Sequence, residues 1–165
     1  MNIDQVNRHE ACIRWHRGGV DFVDHRYSRA HEWNFDGGAR IDASASPGNV
    51  PEPYSNPEAV DPEEALVAAA SSCHMLWFLS LAARGGMVVD SYVDRASGVI
   101  EKNQDGRQAF SRITLQPAVI FSGDVTPSDT EIAAMHEAAH DKCFIANSLS
   151  CEVIVAPPEN GSGRL

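Results

Sequence analysis

Residues 25–35 alternate between apolar or aromatic and polar side chains, with Tyr27, His31, Trp33 and Phe35 falling on one side. A period of two predicts a strand with one covered face. Asp36-Gly37-Gly38 then supplies a hairpin turn, and residues 39–45 the returning strand. Residues 46–60 (S-P-G-N-V-P-E-P-Y-S-N-P-E-A-V) are rich in Pro, Gly, Ser and Asn and predict a loop. It is long for a compact domain, and such loops are often functional.

At Asp61 the pattern changes. Asp61 is a candidate N-cap, Pro62 suits the first helical position, and Glu64 completes a capping box. Gly85-Gly86 supplies the stop. The helix between them is apolar around nearly its whole circumference, which predicts burial on all sides. One chain of this size rarely encloses a helix completely, so wrapping by a second subunit is expected. Residues 65–83 approach the ~20 residues of a membrane span. Ser71, Ser72, His74 and Ser80 interrupt the run, and it reads instead as a helix buried in protein.

Residues 88–102 and 109–121 are rich in Val, Ile, Thr and Tyr and read as two strands joined by Asn103-Gln104-Asp105-Gly106. Thr126-Pro127-Ser128-Asp129 opens a second helix running to about His140. Residues 151–155 read as a last strand. The order strands, helix, strands, helix, strand is that of an α+β fold with antiparallel sheets. The 165 residues fit one domain, with about ten N-terminal and about eight C-terminal residues loose.

Composition narrows the function classes. A net charge of −10 leaves no dominant basic surface, arguing against nucleic acid or an anionic membrane as partner. Four cysteines in a chain of this length are not a disulfide framework, and M-N-I-D-Q-V-N-R-H-E has no apolar signal region. A reducing cytoplasm is the expected setting, where cysteines do chemistry or simply pack.

Two cysteines have a distinctive context. Cys73 ends D-P-E-E-A-L-V-A-A-A-S-S-C, and Cys143 lies in A-H-D-K-C-F-I-A-N-S-L. Neither is part of a CxxC pair. If the fold brings them together they form a nucleophile and a resolving thiol. Cys12 and Cys151 have no comparable context and read as structural.

These two motifs, with H-E-W-N-F-D-G-G and S-Y-V-D-R-A-S-G, resemble in their order the OsmC/Ohr family of thiol-dependent peroxidases, more the OsmC-like branch than Ohr itself. The resemblance covers residues 25 to about 155. It implies an intertwined homodimer in which antiparallel sheets wrap the long central helices. It also implies reduction of organic hydroperoxides, and of hydrogen peroxide in many members, without metal or organic cofactor. Cys73 would attack, Cys143 would resolve, and an external dithiol would restore both. The family activates its nucleophile with an Arg held by a Glu. The Glu corresponds to Glu63, and the candidates for the Arg are Arg40 first and Arg29 second. Cys73 lies about 18 Å from its helix start at 1.5 Å per residue, too far for the helix dipole to lower its pKa. Ten residues also separate Glu63 from Cys73 by about 15 Å of rise. The expectation is therefore that Glu63 positions an Arg beside Cys73 of the other subunit.

A competing motif is His136-Glu137-Ala138-Ala139-His140, the H-E-x-x-H of zinc hydrolases. His136 and His140 would face one way, Glu137 would be the base, and Asp141, Cys143 or a distant residue the third ligand. In the plainer reading these histidines sit at a helix C-terminus, where positive charge is favoured. A third possibility is a non-catalytic small-molecule carrier. Trp33, Phe35, Trp77 and Phe78 read as core, some of them lining an apolar pocket.

Overall fold

The computed structural model describes residues 8–158. The expected loose ends fall mostly outside that range. The chain divides into two compact units between Ala65 and Leu66, within a helix.

The N-terminal unit holds a three-stranded antiparallel sheet in the order β1 (Ala11–Arg14), β2 (His31–Phe35), β3 (Arg40–Ala43). Ile13 and Ile41 lie on either side of Trp33. The strand expected over residues 25–35 is regular only from His31. Before it, Trp15, Phe22 and Tyr27 form an aromatic cluster, with Phe22 and Tyr27 stacked at 4.5 Å. That cluster takes Tyr27 out of the strand and explains the false alternation. Strand β1 was not expected, because A-C-I-R is too short to show a period. The hairpin turn is as expected: Asp36 Oδ1 accepts from the Gly37 N–H at 2.8 Å, and Gly38 has φ 87°, which favours glycine.

Residues 44–60 form the expected loop, but a tethered one. Ser44 is fully buried. Its N–H donates to the Val60 carbonyl at 3.0 Å and its Oγ accepts from the Asn56 N–H at 3.0 Å.

Helix α1 (Pro62–Arg84) starts as the sequence predicts. Asp61 Oδ1 accepts from Glu64 N–H at 2.7 Å, and the Asp61 N–H donates back to Glu64 Oε2. It stops at Gly86, φ 72°, where Met87 N–H reaches the Ala82 carbonyl.

In the C-terminal unit each expected long strand is two. Residues 88–102 split into β4 (Val88–Asp94) and β5 (Ser97–Lys102), and residues 109–121 into β6 (Gln108–Leu115) and β7 (Pro117–Ser122). β4 pairs with β7 and β5 with β6, so one long hairpin breaks sharply at residues 95–96 and 116. Pro117 has no N–H to give a ladder, and the Gln116 N–H is taken by the Asp94 side chain at 2.6 Å. Helix α2 (Asp129–Lys142) starts at Ser128 and runs two residues past the expected His140. A short helix α3 (Phe144–Ser148) follows. β8 (Glu152–Val155) then lies parallel to β6, making that sheet mixed rather than wholly antiparallel.

Helix α1 buries one stripe at helical spacing: Ala70, His74, Phe78 and Ala82. Ala70 packs with Ile113, Leu115 and Val153 from β6 and β8. Phe78 and Ala82 pack with Met135 and Ala139 of α2. Burying a side chain such as Phe78 contributes about 1.5–3 kcal/mol. One chain covers the rest of α1 only in part: Leu66, Val67, Trp77 and Leu81 are half-buried against the core, while Leu76 is 63% exposed.

Candidate functional site

Cys143 occupies a junction. It ends α2, its N–H donating to the His140 carbonyl at 3.0 Å, and it begins α3, its Sγ accepting from the Ala146 N–H at 3.4 Å. Only 1% of the residue is exposed, and the sulfur lies 4.0 Å from the carbonyl of Ala70, three residues before Cys73 on α1. The Cys73 and Cys143 thiols are close enough for Cys73 to perturb the titration of Cys143, and both are free. Burial raises the Cys143 pKa. The Ala146 N–H offsets part of this, and the adjoining Cys73 thiol adds to it. Cys73 is half-buried. The two sulfurs singled out in the sequence are therefore brought together, the more accessible one on the long helix.

The turn of α1 that carries Cys73 is held by polar groups on both sides. Ser71 Oγ donates to Asp94 Oδ2 at 2.5 Å, while the other Asp94 oxygen accepts from Gln116 N–H at the hairpin break. His74 meets His136 of α2, Nε2 to Nδ1, at 3.0 Å. His74 is 1% exposed, and its pKa is lowered to about 4 by burial and by the neighbouring His136 and His140. Burial also lowers the His136 pKa, against the opposing charge of Asp94. Sequence reasoning left His74 open and missed Asp94, although V-D-R-A interrupts an otherwise strand-forming run.

Of the residues expected to activate Cys73, Glu63 Oε1 accepts from Asn49 Nδ2 at 3.1 Å, and Glu63 Oε2 is buried without a partner. Neither arginine is paired with it. Arg40 opens β3, largely exposed, with a loose 3.8 Å contact to Glu32. Arg29 donates to the His25 and Tyr27 carbonyls and lies over the Tyr27 ring at 3.8 Å. The remaining cysteines fit no dithiol: Cys12 is exposed on β1, and Cys151 packs on the core beside Val153.

His136 and His140 do share a face of α2, as the H-E-x-x-H spacing predicts. They line a cavity of about 870 Å³ with Ile132, Val153, Val155 and Pro157. One feature weighs against the zinc reading: among the described residues no three His, Cys, Asp or Glu side chains form a metal-binding group. His136 is part of the packing between α1 and α2.

The family model described as OsmC-like protein matches residues 55–156. An OsmC-like protein of unknown function from Vibrio cholerae O1 biovar eltor is 48% identical, with a TM-score of 0.90, and the match covers 92% of this chain and 99% of that one. The organic hydroperoxide resistance protein OhrB of Bacillus subtilis shares the fold at a TM-score of 0.63 and 17% identity, over 92% of this chain and 97% of its own. An uncharacterized Bacillus subtilis (strain 168) protein, YmaD, is 22% identical over 107 residues, 64% of this chain and 71% of that protein. With its helix-borne cysteine, its second cysteine and most of its length inside the family match, the chain belongs to the OsmC-like family.

Proposed function

We propose that the protein is a two-cysteine peroxidase reducing organic hydroperoxides, and hydrogen peroxide with them. The observation that carries the reading is the pairing of the Cys73 and Cys143 thiols across α1 and the α2–α3 junction. Cys73, the more accessible sulfur, attacks as thiolate on the distal peroxide oxygen. The O–O bond breaks, the alkoxide leaves and takes a proton, and Cys73 becomes a sulfenic acid. The Cys143 sulfur then displaces hydroxide from it. Water leaves and a 73–143 disulfide forms, which an external dithiol reduces by exchange.

A nearby cation favours the thiolate form of an attacking cysteine. A buried carboxylate oxygen without a donor is costly, and the unpartnered Oε2 of Glu63 has the chemistry to hold a guanidinium. Arg40 is the better candidate, since its one contact is loose, whereas Arg29 is engaged by two carbonyls and a ring. The active form is an intertwined homodimer. Only 22% of the most apolar stretch of α1 is buried in one chain, and Leu76 and Phe144 are more than 60% exposed. A second copy covering that face gives the site shared between subunits, in a reducing cytoplasm.

The test is a count of free thiols after one equivalent of cumene hydroperoxide, with mapping of the disulfide. Loss of two thiols per chain as a 73–143 bond is expected. Unchanged thiols overturn the reading and leave the carrier. Mixing Glu63→Gln with Cys73→Ser protein should rebuild one working site per heterodimer, and no recovery overturns the shared site.

A further inference from the structure

The dithiol depends on where one turn of α1 sits. Cys73 and the Ala70 carbonyl, against which Cys143 lies, belong to the same turn. In the half of the buried stripe that precedes Cys73 the packing residue is Ala70, whose short side chain fixes the helix less firmly than Phe78 does further along. Polar contacts of fixed length locate the turn better.

Two such contacts flank Cys73. Two residues before it, Ser71 Oγ donates to Asp94 Oδ2 at 2.5 Å. One residue after it, His74 Nε2 meets His136 Nδ1 at 3.0 Å on α2, the helix that ends in Cys143. Asp94 is itself fixed. It closes the ladder at the β4–β7 end, opposite Pro117, and its second oxygen accepts the Gln116 N–H at 2.6 Å where the long hairpin breaks. The carboxylate spans the sheet and the helix with one oxygen for each.

We propose that Asp94 is a positioning residue for the dithiol, holding the Cys73 turn of α1 against the sheet through Ser71 so that Cys73 stays in register with Cys143. The proposal deepens the peroxidase reading and rests on it for its catalytic meaning. Asp94 touches neither sulfur in this scheme. It sets the effective concentration of one thiol at the other, and so the speed with which a Cys73 sulfenic acid is captured before a second peroxide over-oxidises it.

The experiment compares wild type with Ser71→Ala, Ser71→Thr and Asp94→Asn, and with Ser122→Ala, which removes an exposed hydroxyl–carboxylate bond to Asp90 on the same β4–β7 ladder. Each protein is equilibrated in glutathione buffers, and the 73–143 disulfide is quantified by mass. Ser71→Ala and Asp94→Asn should lower the equilibrium constant for the internal disulfide about tenfold, about 30 mV for this two-electron couple. Ser71→Thr and Ser122→Ala should stay within about twofold of wild type on the same scale. With cumene hydroperoxide, the two lowered variants should accumulate Cys73 sulfinic acid while consuming the first equivalent of peroxide at the wild-type rate. Should Asp94→Asn fail to fold, Ser71→Ala carries the test alone. An unchanged glutathione equilibrium in Ser71→Ala overturns the proposal, as does an equal shift in Ser71→Thr. Because glutathione exchange needs no peroxide, a shifted equilibrium in a protein whose thiols ignore peroxide would sustain the positioning role and overturn the peroxidase reading alone.

Discussion

His74 and His136 stack with their rings 12° from parallel, 5.3 Å between centroids, and joined by a nitrogen–nitrogen contact of 3.0 Å. One ring nitrogen must therefore carry the shared proton and the other accept it. Protonating both rings would set two like charges together in a buried site where the second nitrogen of His74 has no partner.

That arrangement makes the fold acid-labile in a defined window. The folded pKa of His74 is lowered to about 4 from an unfolded value of 6.5. Between those values the unfolded chain binds the proton and the folded chain does not, so stability falls with falling pH. The contribution is complete above about pH 6.5 and lost progressively toward pH 4, on the order of 3 kcal/mol in all. The lowered His136 pKa acts in the same direction. Urea unfolding between pH 4 and 8 should show this loss, and His74→Gln should flatten it. An equally steep acid slope in His74→Gln would assign the lability elsewhere.

The Cys73 and Cys143 thiols should differ sharply toward alkylation. Cys143 is sealed, with 1% of its surface exposed and its pKa raised, whereas Cys73 is half-buried. Thiolate fraction and access both govern the rate. With limiting iodoacetamide at pH 7.5, peptide mapping should find exposed Cys12 and then Cys73 modified well before Cys143. In Cys143→Ser protein, Cys73 should remain reactive. Equal labelling of Cys73 and Cys143 would contradict the assignment of Cys73 as the attacking sulfur.

What could be read from the sequence follows from how local each signal is. The α1 start was legible because Asp61, Pro62 and Glu64 act within one turn, and the Gly37-Gly38 turn for the same reason. The two cysteine motifs were legible as a pair, and the structure joins them. The hairpin break at residues 95–96 and 116 was not, because a run of strand-forming residues looks the same whether it lies in one sheet or two. The Asp94 and Ser71 contact spans 23 positions and leaves no local trace. His136 and His140 matched a zinc motif correctly as a helix face, but only the fold reveals that no third ligand joins them among the described residues and that His136 packs against His74. The Arg assignment stays with Arg40 and Arg29 as candidates, since short strands and an aromatic loop surround them with no periodic frame.

Gly98 in β5 is fixed by crowding rather than by backbone conformation. A Cβ there would lie 2.5 Å from Phe110 Cε1 and 2.8 Å from Val67 Cγ2, far inside contact distance. Gly98→Ala must push the Phe110 ring or the first turns of α1 away from the sheet. Overpacking of this kind costs about 1–3 kcal/mol. Urea unfolding should register that loss, and adding Phe110→Leu should recover part of it, since the nearest atom belongs to that ring. A Gly98→Ala protein as stable as wild type would mean the strand and helix yield more easily than their packing implies.

The N-terminus of α2 offers a way to lower stability while leaving the dithiol untouched. Ser128 Oγ accepts from Glu131 N–H at 3.3 Å, and the Glu131 carboxylate accepts from the Ser128 N–H at 2.8 Å, a reciprocal capping box. Hydrogen bonds donated to that carboxylate by the Ser128 N–H and hydroxyl hold the Glu131 pKa below its ordinary value. Ser128→Ala should cost about 1 kcal/mol, and Ser128→Asp, which keeps a capping oxygen, far less. Cys143 lies at the opposite end of this helix, separated from the cap by four turns. The glutathione equilibrium of the 73–143 pair should therefore stay at its wild-type value in Ser128→Ala even as the urea midpoint falls. A redox shift in that variant matching the one expected for Ser71→Ala would show that general loosening, not the Asp94 contact, governs the approach of the two sulfurs.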